Sequence, residues 1–141
     1  MFKTILVPTD GSESAKHAFL TALTIAEKHE ARIVLLHIVF TPEALGYKLS
    51  NTATVPQDEI SIYGKEALTA TLTDANQGIV PIEQKLKPGH PAAGIINEIE
   101  TGNYDLVVMG SRGYGPVMGP LLGSVSQRVL LKATCPVMIV K

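Results

Sequence analysis

The chain has 141 residues, 45% hydrophobic and 18% charged, with a formal net charge of −1, no tryptophan and a single cysteine, Cys135. That composition fits one globular domain burying roughly 70% of the surface its unfolded chain exposes, and it excludes a disordered chain, an internal disulfide and a thiolate metal centre. It also lacks the basic stripe and aromatic platforms of a nucleic-acid binder, and no apolar run approaches the ~18 residues of a membrane span.

Phe2 to Pro8 predicts a strand, because Ile5-Leu6-Val7 is apolar without alternation, as in a strand covered on both faces. No charged leader or apolar segment precedes it, so a cytoplasmic protein is expected. Between Ser12 and His29, Ala15, Ala18, Phe19, Ala22, Leu23 and Ala26 recur at helical spacing. Ala31 to Val39 predicts a second buried strand, and Phe40 to Val55 is irregular. Pro56 then sits near the start of a helix whose inner face is Ile60, Gly64, Ala67, Thr71 and Ala75, with Gly78 after its end. Ile79 to Leu86 alternates apolar and polar residues and predicts a half-exposed edge strand.

Pro91 to Thr101 predicts a short helix with Ala92, Ile95, Ile96 and Ile99 inward, stopped by Gly102. Tyr104 to Met109 is the fourth strand, Ser124 to Lys132 the last helix and Val137 to Val140 the fifth strand. Strands interleaved with helices predict an α/β fold with a five-stranded parallel, doubly wound sheet, in the order 3-2-1-4-5. Such sheets bind ligands beyond the carboxyl ends of the strands where the order reverses, here between strands one and four. The residues just past those strands are Pro8-Thr9-Asp10-Gly11 and Gly110-Ser111-Arg112-Gly113.

The second of these segments opens a spaced motif: Gly110-Ser111-Arg112-Gly113, nine residues, then Gly123-Ser124. A buried strand leading into a glycine loop and then a helix holds phosphate through backbone N–H groups. Gly110 and Gly113 can adopt positive φ and let the backbone approach a ligand with no Cβ in the way. The Ser124 and Ser126 hydroxyls are candidate donors to phosphate, although Ser124-Val125-Ser126-Gln127 reads equally as a capping box with Ser124 as N-cap. Asp10 suits a ribose hydroxyl, or Mg²⁺ through phosphate-bound water, or a helix cap with Glu13. Arg112 is either a bidentate phosphate contact or an exposed loop cation.

Ile38 offers backbone groups and an apolar wall to a base, while His37 reads as a satisfied core histidine and His90 as the start of the third helix. No metal-binding histidine or cysteine spacing, P-loop, dinucleotide fingerprint or nucleophile elbow is present, so no dedicated metal site or acyl-transfer chemistry is expected. The loop has no lysine and no side chain suited to orient water, which favours nucleotide binding over catalysed phosphoryl transfer.

Lys3-Thr4-Ile5-Leu6-Val7-Pro8-Thr9-Asp10-Gly11-Ser12, Leu35-Leu36-His37-Ile38, Asp105-Leu106-Val107-Val108-Met109-Gly110, the G-x2-G-x9-G-[ST] loop and Cys135-Pro136-Val137-Met138-Ile139-Val140 together resemble the universal stress protein family. The resemblance spans nearly the whole chain and implies a single Rossmann-like domain over residues 1–141, of the adenine nucleotide alpha hydrolase-like type. It implies membership of the ATP-binding subgroup, with Pro8, Thr9 and Asp10 bordering adenine and ribose and Ile38 meeting the base through its backbone. Met109, Gly110, Gly113, Gly123, Ser124, Val125 and Ser126 would line ribose and phosphates, Ser126 standing where threonine is common.

The same resemblance implies a homodimer through the last strand. Val137-Met138-Ile139-Val140 supports this independently, as an apolar strand with no element after it to cover its edge. The function implied is an ATP-binding regulator of the stress response, with magnesium on the nucleotide and a protein partner that the sequence does not identify. A slow ATPase or phosphotransferase and a nucleotide-free dimerisation module are the alternatives.

Overall fold

Five strands and four helices alternate in the computed structural model, which describes residues 1–40, 57–112 and 121–141, the side chains of 57–63 excepted. In chain order they are β1 (Thr4–Pro8), α1 (Glu13–His29), β2 (Arg32–Phe40), α2 (Gln57–Leu72), β3 (Ile82–Gly89), α3 (Pro91–Thr101), β4 (Leu106–Gly110), α4 (Ser124–Lys132) and β5 (Val137–Val140). All neighbours pair in parallel, in the order β3-β2-β1-β4-β5, as the alternation of strands and helices predicts.

The order reverses at β1, which separates two cores. Ile5 and Val7 face α1 and α2, packing with Phe19, Ala22, Leu35 and Val108. Leu6 faces the other way, with Leu36, Ile38, Ile95 and Ile99, Met109, and Val125 and Val129 of α4. Each central strand therefore feeds both cores, and that is why its sequence shows no polar alternation.

The element boundaries differ from expectation where a longer-range hydrogen bond intervenes. The first strand begins at Thr4 rather than Phe2, because the Asp105 carboxylate accepts from the N–H groups of Lys3 and Thr4, both at 2.8 Å. The third strand begins at Ile82 rather than Ile79, because residues 76–80 form a turn. Within it Asn76 Oδ1 accepts from Gly78 N, Val80 N donates to the Gln77 carbonyl and Gly78 is left-handed at φ +56°, leaving Ile79 exposed.

Both expected capping boxes fail. Ser12, not Asp10, caps α1, accepting from Ala15 N at 3.2 Å, while Asp10 Oδ1 accepts from Ser12 N at 2.9 Å in a local turn. The N-cap of α4 is Gly123, with no side-chain cap bond; Ser124 is the first helical residue, and Gln127 Nε2 donates to the Leu122 carbonyl.

The inner face of α3 carries Glu98 among its apolar residues, whereas Ile96 is only half-buried. Lys85 Nζ donates to Glu98 Oε1 at 2.8 Å, Lys87 donates to Oε2, and the Tyr104 hydroxyl donates to Oε1. Burial by itself would raise the Glu98 pKa, but these donors outweigh it and bring it to about 2. Burial first, and then the Glu98 bond and charge, push the Tyr104 hydroxyl the opposite way. The cluster ties edge strand β3 to α3 with inward-facing charges, a feature that also discourages edge pairing. The irregular stretch expected over residues 40–55 lies, from residue 41 on, outside the described residues, as does Pro56.

Candidate nucleotide site at the carboxyl end of the sheet

Beyond β1 the chain runs one residue further beside β2, with Thr9 N donating to the Leu36 carbonyl at 2.8 Å, and then turns at Gly11. Gly11 has φ +81°, and a Cβ there would lie 3.0 Å from Ala67 Cα, so glycine is needed both for the turn and for its approach to α2. The Thr9 side chain is fully buried and points away from the crevice, toward α2. Thr71 Oγ1 donates to the Ala67 carbonyl at 2.8 Å, so the 2.6 Å Thr9–Thr71 contact uses the proton of Thr9. Thr9 Oγ1 in turn accepts from Gly11 N at 3.0 Å.

The Thr9 carbonyl accepts from His37 Nδ1 at 2.7 Å, which puts the proton on that nitrogen, since a carbonyl only accepts. His37 is thus the satisfied histidine expected from sequence. The Thr9 side chain holds the loop, while Pro8 and Asp10 line the crevice. Thr71 and His37 do their work through this loop, and nothing at short sequence range marks them as its supports.

On the β4 side, packing accounts for the glycine at 110. Its φ is not positive, and a Cβ there would lie 2.3 Å from Ser14 Oγ and 2.8 Å from the Ser14 carbonyl group. Glycine is required at this position so that β4 can pack against the first turn of α1. The Ser126 hydroxyl, buried in the first turn of α4, donates to the Gly110 carbonyl at 2.8 Å. Its proton is therefore committed, and toward a ligand it can only accept; Ser124 is exposed.

Gly123 N donates to the Ser111 carbonyl at 2.9 Å, which sets the amino end of α4 beside the end of β4. There the first-turn N–H groups of Ser124, Val125 and Ser126 lie ahead of the first intrahelical bond, from Gln127 N to the Gly123 carbonyl. Arg112 N donates to Ser14 Oγ at 3.2 Å, and its side chain is exposed. Gly113 lies outside the described residues.

These elements enclose a narrow cleft lined by Pro8, Asp10, Ala15, Met109, Gly110, Arg112, Val125 and Ser126. Seven of the eight, all but Ala15, are residues the sequence singles out. The cleft holds about 10 Å³ of space open to water, room for about one water molecule. The segments leaving β2 and β4, residues 41–56 and 113–120, lie outside the described residues. A roomier groove of about 470 Å³ opens on the α1 side of Arg112, lined by Ser12, Glu13, Ser14, His17, Ser111, Arg112 and Lys141. It shares only Arg112 with the expected site.

Ile38 sits one strand over. Arg32 N bonds to Lys3 of the β1 side and Thr9 N to Leu36, whereas Ile33 N bonds to Pro81 of the β3 side. Even-numbered residues of β2 thus turn their backbone toward β1, which places the N–H and C=O of Ile38 beyond Pro8, the last β1 residue paired with β2. Among the described residues no group of three or more His, Cys, Asp or Glu side chains could hold a metal ion, and no helix is long and apolar enough to cross a membrane.

The profile of the universal stress protein family matches residues 1–141. A universal stress protein of Thermus aquaticus is 35% identical over 152 aligned positions, covering all of both chains. One from Methanocaldococcus jannaschii is 32% identical over 141, covering all of this chain and 83% of the relative. Among solved structures, a universal stress protein in complex with cAMP is 27% identical and superposes with a TM-score of 0.68, over 99% of this chain and 96% of that one. With the same fold and a match along its entire length, the chain belongs to the universal stress protein family.

Proposed function

We propose that this chain, as one universal stress protein domain, binds ATP across the carboxyl ends of β1 and β4 and acts as a homodimeric, nucleotide-responsive regulator in the cytoplasm. The observation that carries this reading is the cleft at the reversal of strand order. It is lined by Pro8 and Asp10 of the β1 end, by Gly110 and Arg112 of the G-x2-G-x9-G-S motif, and by Ala15, Met109, Val125 and Ser126 beside them, at the amino end of α4. The base would lie toward Ile38, the ribose at Asp10, and the phosphates at the first turn of α4 and its preceding loop. The relative that binds cAMP supports a nucleotide ligand for this fold and sequence.

Magnesium bound to the phosphates would offset their charge. On the protein, the Asp10 carboxylate is the nearest candidate to approach it, although one of its oxygens already accepts from Ser12 N. Hydrolysis is expected to be slow, because residues 110–123 contain no lysine and the Ser126 proton is committed to the Gly110 carbonyl. Binding would then change which surfaces the domain presents to a protein partner, to the extent that the partner distinguishes the two states. The edge of β5, with Met138 exposed and Val137, Ile139 and Val140 half-buried, supports pairing with a second copy.

Mass spectrometry of nucleotide released from denatured protein, together with calorimetric titration of ATP and Mg²⁺, tests the reading. Co-purified ATP, or micromolar affinity lost in Gly113→Val, is the expected result. ADP accumulating with turnover would mark a slow ATPase, and no nucleotide with no binding would leave a dimerisation module.

A further inference from the structure

We propose that the imidazole of His90 recognises the base in this site, with Nδ1 accepting a hydrogen bond from the exocyclic amine of adenine. The inference rests on the adenine-nucleotide reading above. His90 Nδ1 is shielded from water and has no hydrogen-bond partner; among the described residues no other buried side-chain nitrogen or oxygen is left so. Buried polar atoms are nearly always paired, so an orphan of this kind points to a partner that the protein does not supply. His90 is the N-cap of α3, yet its side chain makes no cap bond. Because the ring holds no hydrogen bond, it can turn toward the crevice without breaking one.

The position fits a base. His90 follows Gly89, the β3 partner of Phe40, and its ring meets the Phe40 ring edge-on at 5.8 Å between centroids. Phe40 lies two residues beyond Ile38 on the same face of β2, and the first turn of α3 abuts Ile38, where a Cβ on Gly94 would come within 2.8 Å of Ile38 Cδ1. Ile38 belongs to the core on the α3 and α4 side together with Met109 and Val125, which line the cleft, and Phe40 and His90 continue that side of the sheet beyond Ile38, outside the cleft's own lining.

From β1 to β3 is two strand spacings, about 10 Å. A nucleoside whose ribose lies at Asp10 and whose base passes Ile38 spans that gap, with the exposed Phe40 ring available for stacking. His37, the other histidine at this end of β2, donates from Nδ1 to the Thr9 carbonyl and, as an odd-numbered residue, lies on the opposite face of the sheet, with Ile33 and Leu35 on the α1 and α2 side. With its proton on Nε2, His90 Nδ1 is an acceptor, which matches the amine of adenine and opposes the carbonyl that guanine carries in its place.

The test compares the binding of ATP, GTP and purine riboside triphosphate, which lacks the amine, to the full chain and to His90→Phe, which keeps the ring against Phe40. The unaltered chain should bind ATP about 3- to 10-fold more tightly than the analogue lacking the amine, the effect of one hydrogen bond, and GTP more weakly than ATP. His90→Phe should bind ATP and the analogue alike. His90→Ser, a favoured N-cap too short to reach the base, should lose the preference too, and it serves where the phenylalanine variant does not fold. An ATP preference that survives in either folded variant overturns the assignment of His90 and leaves the nucleotide site standing. Failure of the unaltered chain to bind any of the three overturns both.

Discussion

Replacing Glu98 with glutamine probes the ion cluster that fastens the edge strand β3 to α3. The Glu98 side chain is only 3% exposed, while its partners Lys85 and Lys87 are 34% and 40% exposed. Burial raises the carboxyl pKa, but hydrogen bonds from Lys85, Lys87 and Tyr104 and the charge of Lys87 bring it down to about 2, from 4.5. A folded-state pKa below the unfolded one means that the carboxylate stabilises the fold above pH 4.5 and loses that contribution as the pH falls toward 2. The shift corresponds to about 3 kcal/mol, and solvent screening of the part-exposed lysines reduces it to the order of 1–3 kcal/mol.

Glu98→Gln should therefore unfold more easily than the unaltered chain at pH 7 by that amount, and the gap should close between pH 4.5 and 2. Urea denaturation followed by far-ultraviolet circular dichroism, at pH 7, 5, 4 and 3, measures both effects. A gap that stays constant down to pH 3 would refute the assigned titration. Equal stability at pH 7 would show that desolvation of the buried pair cancels its attraction.

Gly110→Ala should destabilise the protein by about 1–3 kcal/mol with or without nucleotide, since its Cβ collides with α1. Adding Ser14→Ala should recover only part of the loss, because the Ser14 carbonyl group remains at 2.8 Å; an unchanged melting temperature in the single variant would contradict the packing role. Thr71→Val should cost about 1–3 kcal/mol by removing the buried Thr9–Thr71 hydrogen bond. The double variant Thr9→Val/Thr71→Val should cost less than the sum of the singles, and strict additivity in chemical denaturation would deny the relay. Met138→Lys on the β5 edge should shift the proposed homodimer to monomer in sedimentation velocity, and an unaltered dimer would place the interface elsewhere.

Local chemistry wrote much of this architecture into the chain. Pro91 and Gly102 bracket α3, the residue limits of α3, α4 and β5 match the periodicity, and the alternation of strands with helices agrees with the parallel sheet observed. The crevice was legible for the same reason: strand order decides where the sheet reverses, and the glycine motif sits at one of the two strand ends that flank it. The positions of Pro8, Asp10, Met109, Val125 and Ser126 around one cleft follow from that.

Periodicity assigns a residue to a face but not to a partner. It could not show that the Thr9 hydroxyl turns to Thr71, 62 residues away, or that Gly110 is glycine because of Ser14. Nor could it show that the Ser126 proton goes to a backbone carbonyl rather than toward a phosphate. Glu98 carried a faint signal, three residues after the buried Ile95 and opposite two alternating lysines of β3, but a carboxylate on an inner face has meaning only once its donors are in place. The sequence by itself determined the elements, their order and the end of the sheet where a ligand would sit, because these depend on spacing within a few turns or strands. Only the tertiary structure decided what each polar atom at that end is free to do, because a buried donor or acceptor is satisfied by whatever distant segment the packing brings within 3 Å.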